Sequence, residues 1–322
     1  MAAPDKLPPV ICILGPTCAW KSEVALRLAE ELDGEVISCD SMQVYQGLEI
    51  GTAQPQRHAG VPQHLIGCWD IRQPYDANRF VQHAERIISE IDARNRRTVL
   101  VGGTGLYARA LVYGLTLLPS DLSLSLRLRE RMRDPQECRR MLADVQADCE
   151  SRGLAMPPEV SQNPRRLLRS YEVWSLTGHF PWELARRPEA PRPRYRQFCI
   201  LPDWTLLRGR IRRRTAKMLQ DGWIAEALAA ETAGLFETVT ARQALGYREI
   251  CDFMACGQPG GQAALAELLA NRTIQFARRQ LTWFRHQHPG AVMIPVDHEE
   301  EAVEQILADI RRHLAGEAGG HA

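Results

Sequence analysis

The segment from Val10 to Ser22 constrains this chain more than any other. An apolar run, Val10-Ile11-Cys12-Ile13-Leu14, leads into Gly15-Pro16-Thr17-Cys18-Ala19-Trp20-Lys21-Ser22. Apolar residues then recur at helical spacing, at Val24, Ala25, Leu28 and Leu32. A strand, a glycine-led turn and a helix opening on Lys-Ser form the arrangement in which backbone N–H groups and a positive helix end cradle a di- or triphosphate. Gly15, Thr17, Cys18, Ala19, Trp20, Lys21 and Ser22 are therefore the candidate phosphate-binding residues. Lys21 adds charge, and the Ser22 hydroxyl is the candidate ligand for Mg²⁺. The pattern G-x-x-x-x-G-K-[ST] is broken at one position, where Trp20 replaces glycine. Glycine brings no Cβ and reaches backbone conformations closed to other residues. Trp20 is thus expected to crowd the phosphate path, with its indole obliged to swing clear.

The first third of the chain alternates short apolar runs with helical patterns. Val10–Leu14, Glu35–Ser38 and Thr98–Val101 read as buried parallel strands, with helices over Glu23–Leu32 and Ala77–Ala93. This alternation predicts an α/β fold, a doubly wound parallel sheet of P-loop type, with ligands outside the carboxyl ends of the strands. Each of those strands ends in a turn rich in functional groups: the loop at Gly15, Cys39-Asp40-Ser41, and Gly102-Gly103-Thr104-Gly105. From 118 to 193 the chain turns helical, with few β-branched residues and a Pro/Arg-rich end, and reads as a helical insertion. The core then resumes over 194–316, with a strand at Gln197–Leu201 and helices over Trp204–Leu219, Ile224–Ala233 and Gln262–His286. A last strand and helix follow at Val292–Val296 and Glu299–Leu314, and 317–322 reads as a disordered tail.

Charge is segregated more than its total suggests. Net charge is only +1, yet Ser161 to Leu219 carries fourteen Arg or Lys against four Asp or Glu. Such a stretch can build a basic face on a nearly neutral protein; a solvated helical surface is the plainer alternative. The nine cysteines include no C-x-x-C pair, which fits a reducing compartment and argues against zinc. No apolar run approaches membrane-span length and the first residues do not resemble a secretory signal, so a cytoplasmic protein is expected.

Asp40, in Asp40-Ser41-Met42-Gln43, would face the phosphate loop. Its carboxylate could hold Mg²⁺ through water, accept a proton from a substrate amine, or simply cap the next helix. Thr104 offers a hydroxyl at a neighbouring strand end. Three basic clusters follow: Arg165, Arg166 and Arg169; Arg208 to Lys217; and Arg272, Arg278, Arg279 and Arg285, interleaved with Phe276, Trp283 and Phe284. Arginines among aromatics suit an RNA with unstacked bases. Arg210 and Arg214, one helical turn apart, form the best candidate anion clamp.

Taken in order, these motifs resemble the bacterial tRNA dimethylallyltransferases. The resemblance runs from Val10 to Arg285. It rests on GPT…KS at 15–22, DSMQVYQGLEIGTAQP at 40–55, PQHL at 62–65, GGTGLY at 102–107, RRLLRSYEV at 165–173, LRGRIRRR at 207–214, ALGYRE at 244–249 and FARRQLTWFR at 276–285. It implies transfer of a dimethylallyl group from dimethylallyl diphosphate to N6 of the adenosine 3′ of the anticodon, with Mg²⁺ near Ser22, and with the tRNA anticodon stem-loop as partner. It also implies that Thr17 to Ser22 hold the diphosphate, that Asp40 is the general base, that Arg214 stabilises the departing diphosphate, and that Thr104 touches substrate. Asp40, Ser41, Met42, Gln43, Arg165, Arg166, Arg169, Gln243, Gly246, Tyr247, Arg248, Arg278, Arg279, Gln280, Trp283 and Arg285 fall on tRNA-contacting stretches, and 118–193 matches the tRNA-gripping insertion. A monomer without membrane contact is expected.

The chain departs from the family pattern at several positions. Cys18-Ala19-Trp20 stands for Ala-Ser-Gly, Gln54 for lysine, Trp204 for arginine, Asn163 for aspartate, and Ile274 lies where Thr-Arg is usual. Impaired catalysis through Trp20 is therefore expected. The rival readings are prenyl transfer to free adenine nucleotides, a small-molecule kinase using ATP, and a tRNA-binding protein without catalysis.

Overall fold

The computed structural model describes residues 7–56, 58, 60–184, 188 and 190–319. It divides into two compact units, one formed by residues up to 114 together with 190 onward, the other by 115–189.

The first unit is built on a parallel sheet of six strands: β1 Val10–Leu14, β2 Gly34–Ser38, β3 Gln63–His64, β4 Arg97–Gly102, β5 Tyr195–Pro202 and β6 Val292–Val296, in the order β3-β2-β4-β1-β5-β6. Every residue of β1 and β2 is buried, as a parallel sheet covered on both faces requires. One face packs on α1, Lys21–Glu31, and α13, Ala302–Gly319. Ile11, Ile13, Val99 and Ile200 of the sheet meet Val24 and Leu28 of α1 and Ile306 and Ile310 of α13 in one apolar cluster. On the other face lie α2, Ala77–Ala93, and α3, Gly105–Tyr113.

Register places the loops. Leu14 pairs with Gly102, and Ser38 with Val101, so the turns after β1, β4 and β2 leave the sheet side by side. The last two interlock: the Cys39 amide donates to the Val101 carbonyl at 2.6 Å, and the Thr104 amide to the Cys39 carbonyl at 3.3 Å.

The second unit holds α4 Leu122–Arg131, α5 Pro135–Ser151, α6 Pro158–Gln162, α7 Pro164–Thr177 and α8 Pro181–Leu184. Asp121, Asp134 and Asn163 cap α4, α5 and α7 through their side chains. Its own small core joins Val145, Cys149, Val160, Leu167 and Phe180, with the Phe180 ring stacked on Trp182 at 4.6 Å. The remaining helices belong to the first unit: α9 Trp204–Gln220, α10 Trp223–Thr232, α11 Tyr247–Ala255 and α12 Gly261–Gln287.

Several expectations need correction. The helical unit spans 115–189 rather than 118–193. Strand β3 and helix α11 were not anticipated; two residues are too few to show a period, and α11 is short and preceded by a turn-rich stretch. The last helix spans Ala302–Gly319, beyond the Leu314 end expected for it. Residues 320–322 of the expected tail, and Arg186 and Arg187 of the expected linker, lie outside the described residues. No helix among the described residues is long and apolar enough to cross a membrane.

Candidate active site

The three turns and the helices above them enclose a cavity of about 600 Å³, lined throughout by the first unit. The phosphate loop forms one side, with Thr17, Cys18, Ala19, Trp20, Lys21 and Ser22 on its surface. The amides of residues 18–22 donate to no acceptor among the described residues. They form a row of free donors at the N-terminus of α1, the physical basis of an anion nest.

Trp20 sits in this loop at φ 53°, ψ 5°, the left-handed region, and Cys18 precedes it at φ 64°. The backbone thus keeps a conformation glycine adopts freely, at a cost of roughly 1–2 kcal/mol for a residue with a Cβ. The indole is only 9 % exposed and belongs to the sheet–α1–α13 core. The Arg210 guanidinium covers it, 4.0 Å from the ring centroid, while Arg210 Nε donates to the Cys18 carbonyl at 3.0 Å and Nη1 pairs with Glu299. Arg210 is therefore not half of an anion clamp; its charge is spent on Trp20 and Glu299. Arg214 reaches the loop without a carboxylate partner among the described residues, donating to Thr17 Oγ1 at 2.6 Å.

Lys21 is the other cation here, its Nζ donating to the Pro16 carbonyl. Burial lowers its pKa to about 8, with Arg214 pushing the same way and Asp40 opposing. Asp40 also lines the cavity, and its Oδ1 accepts from the amides of Met42 at 2.9 Å and Gln43 at 3.3 Å. Asp40 caps the turn at 41–44, and Oδ2 is without a partner among the described residues. Thr104 Oγ1 accepts from the Ser41 amide at 3.0 Å and so ties the two turns. Gln43 is fully engaged: Nε2 donates to the carbonyls of Thr52 and Ala53 at 3.2 and 3.0 Å, and Oε1 accepts from Ser38 at 3.0 Å.

Gln280 of α12 has a place no local pattern announces. It is 7 % exposed; Oε1 accepts from the Thr17 amide at 2.9 Å and Nε2 donates to the Gly103 carbonyl at 2.8 Å. Each end of the amide is bonded within the protein, so Gln280 braces the two loops while also lining the cavity. It needs glycine opposite, because a Cβ on Gly103 would lie 2.5 Å from Gln280 Nε2.

The expected RNA contacts separate into exposed and interior residues. Arg278, Arg279 and Trp283 border a groove on the outer face of α12, and Arg285 is exposed beyond them. Met42, Ser41 and Gln243 line the cavity, and Arg248 is exposed against the Phe236 ring. Tyr247 and Gly246, by contrast, are buried; Tyr247 donates to Glu226 at 2.7 Å and no RNA can touch either residue in this conformation. In the second unit Arg165 is exposed, whereas Arg166 pairs with Glu159 and Arg169 with Glu172 and the Leu118 carbonyl. Among the described residues no cluster of three or more His, Cys, Asp or Glu exists that could hold a metal. The oxygen donors of Ser22 and Asp40 instead suit Mg²⁺, which takes one or two protein oxygens and completes its shell with phosphate and water.

The IPP transferase family model matches residues 43–287, and the isopentenyl transferase model matches 8–60. The chain is 38 % identical over 304 residues to a tRNA dimethylallyltransferase of Deinococcus radiodurans, covering 92 % of this chain and 94 % of that one. It is 36 % identical to the enzyme of that name from Halorhodospira halophila, covering 97 % and 99 %. The structure superposes on the tRNA isopentenylpyrophosphate transferase of Bacillus halodurans with a TM-score of 0.67 at 29 % identity, covering 97 % of this chain and 98 % of that one. The same fold occurs in a eukaryotic dimethylallyltransferase acting on tRNA, at a TM-score of 0.73 and 23 % identity, covering 95 % and 77 %. This chain belongs to the IPP transferase family.

Proposed function

We propose that the protein transfers a dimethylallyl group from dimethylallyl diphosphate to N6 of the adenosine immediately 3′ of the anticodon in tRNA. One observation carries the reading: a single cavity is lined by an anion nest with Lys21 and Arg214 and by an oriented carboxylate, Asp40. The nest and the two cations hold the diphosphate. As the allylic C1–O bond breaks, its electron pair passes to the diphosphate oxygen, where fixed donors in a dry site lower the barrier most. The N6 lone pair forms the new bond to C1, and the N6 proton passes to Asp40. Ser22, with Asp40 as a second oxygen donor, would hold Mg²⁺, and the ion would supply further charge for the leaving group. The adenine leaves the anticodon-loop stack to enter, and the exposed arginines with Trp283 receive the RNA. All these groups come from one chain, which supports action as a monomer.

The test is incubation with dimethylallyl diphosphate, Mg²⁺ and an anticodon stem-loop, alongside AMP and the Trp20→Gly variant. A prenylated nucleoside from the stem-loop and none from AMP is expected. No product from either form of the protein refutes the assignment. Product from Trp20→Gly alone identifies Trp20 as a lesion.

A further inference from the structure

Glu226, on the inner face of α10, appears in none of the motifs described above, yet its carboxylate collects three donors. Oε2 accepts from the Ile50 amide at 2.7 Å, and Oε1 accepts from the Gly51 amide at 2.8 Å and the Tyr247 hydroxyl at 2.7 Å. Two consecutive backbone amides gripped by one carboxylate make a charge-assisted, bidentate anchor. The turn it grips lies flat on α10 and α11, because a Cβ on Gly51 would stand 2.1 Å from Trp223 Nε1 and 2.5 Å from the Tyr247 hydroxyl.

The next two residues in the chain are part of the cavity wall. The carbonyls of Thr52 and Ala53 hold Gln43 Nε2, whose other end is held by Ser38. Gln43 follows Asp40 in the same turn and is one of the two residues whose amides orient its carboxylate. Hydrogen bonds linked by the chain itself therefore run from Glu226 through the 50–53 turn to Gln43 and Asp40, which line the cavity. Burial raises the Tyr247 pKa, with the adjacent Glu226 charge adding to it, which keeps that hydroxyl a donor.

We propose that Glu226 is a positioning residue for the acceptor side of the cavity: it fixes the 50–53 turn so that Gln43 and Asp40 present a set geometry to the acceptor base. The inference rests on the prenyl-transfer reading above. Glu226→Gln keeps the size of the side chain but sets an NH₂ against one of the two amides.

The experiment measures KM for the stem-loop and Kd for dimethylallyl diphosphate in wild type, Glu226→Gln, and Ile250→Val. The last loosens the buried face of α11 without touching the turn. Glu226→Gln is expected to raise stem-loop KM about tenfold or more and to leave donor Kd within about twofold; Ile250→Val lowers Tm without that split. An unchanged stem-loop KM, or an equal loss of donor affinity, overturns the proposal. If wild type shows no turnover the prenyl-transfer reading fails first, and stem-loop Kd replaces KM, so that the positioning role is still decided.

Discussion

Trp20 shows how a residue that breaks a motif can leave the motif's geometry in place. A phosphate loop needs one backbone conformation and a row of free amides, and both persist around Trp20. The indole is absorbed by the core and capped by Arg210, a cation–π contact. Loss of such a buried ring costs ~3–5 kcal/mol, against a backbone relief of ~1–2 kcal/mol. Trp20→Gly is thus expected to lower stability by roughly 2 kcal/mol in urea unfolding; a stabilised variant would show that the indole contributes nothing to the core. Lys21 gives a pH prediction at the same scale. With its pKa lowered to about 8, the free protein holds it charged below that pH and loses the charge above. Bound diphosphate favours the charged form, so affinity falls as pH rises through about 8 and binding there takes up a proton. Calorimetry with pyrophosphate in two buffers of different ionisation enthalpy measures that uptake, and Lys21→Met is expected to remove it while leaving the ligand's own titration.

Among the elements, α9 and α12 bring the site together. Leu207 and Ile211 of α9 pack on Ala277 and Leu281 of α12, and Cys18, Trp204 and Ile274 pack around them. Three departures from the family pattern therefore meet in one apolar cluster against the phosphate loop. Asn163, a fourth, caps α7 by accepting from the Arg165 amide at 3.0 Å, as an aspartate would. Leu281→Ala should cost ~2–4 kcal/mol and weaken pyrophosphate binding at least severalfold, since Gln280 beside it braces Thr17; urea unfolding and titration check both halves, and unchanged binding would remove α12 from the loop's support. Helix α9 also alters the reading of the basic run. Arg210 and Arg213 pair with Glu299 and Arg212 with Glu267, so part of the charge counted between 161 and 219 is neutralised by carboxylates distant in sequence, while Lys217 pairs locally with Asp221. Local composition counts charges; it cannot see partners delivered by another element.

At the scale of the whole molecule, the cavity is lined by the first unit alone, and the ends of the intervening segment are already close there. The Arg192 amide donates to the Val112 carbonyl at 2.9 Å. Replacing 115–189 by a short Gly/Ser linker is expected to leave pyrophosphate affinity within about threefold and to abolish prenyl transfer to the stem-loop. Retained transfer would show that the helical unit is dispensable for RNA.

The strand–loop–helix at Val10–Glu31, the parallel sheet class and the three loaded turns were legible because each is local: a buried run of one period, a turn chemistry, and a helix of another period. The order of motifs along the chain was enough to identify the family. What the sequence did not reveal is how distant groups share their hydrogen bonds. Whether Gln280 faces RNA or braces a loop, whether Arg210 binds anion or indole, and whether Tyr247 is exposed or holds Glu226 depend on partners 21 to 263 residues away. Burial and hydrogen-bond satisfaction are properties of the packed chain, because a polar group chooses its partner only once folding has removed water from it.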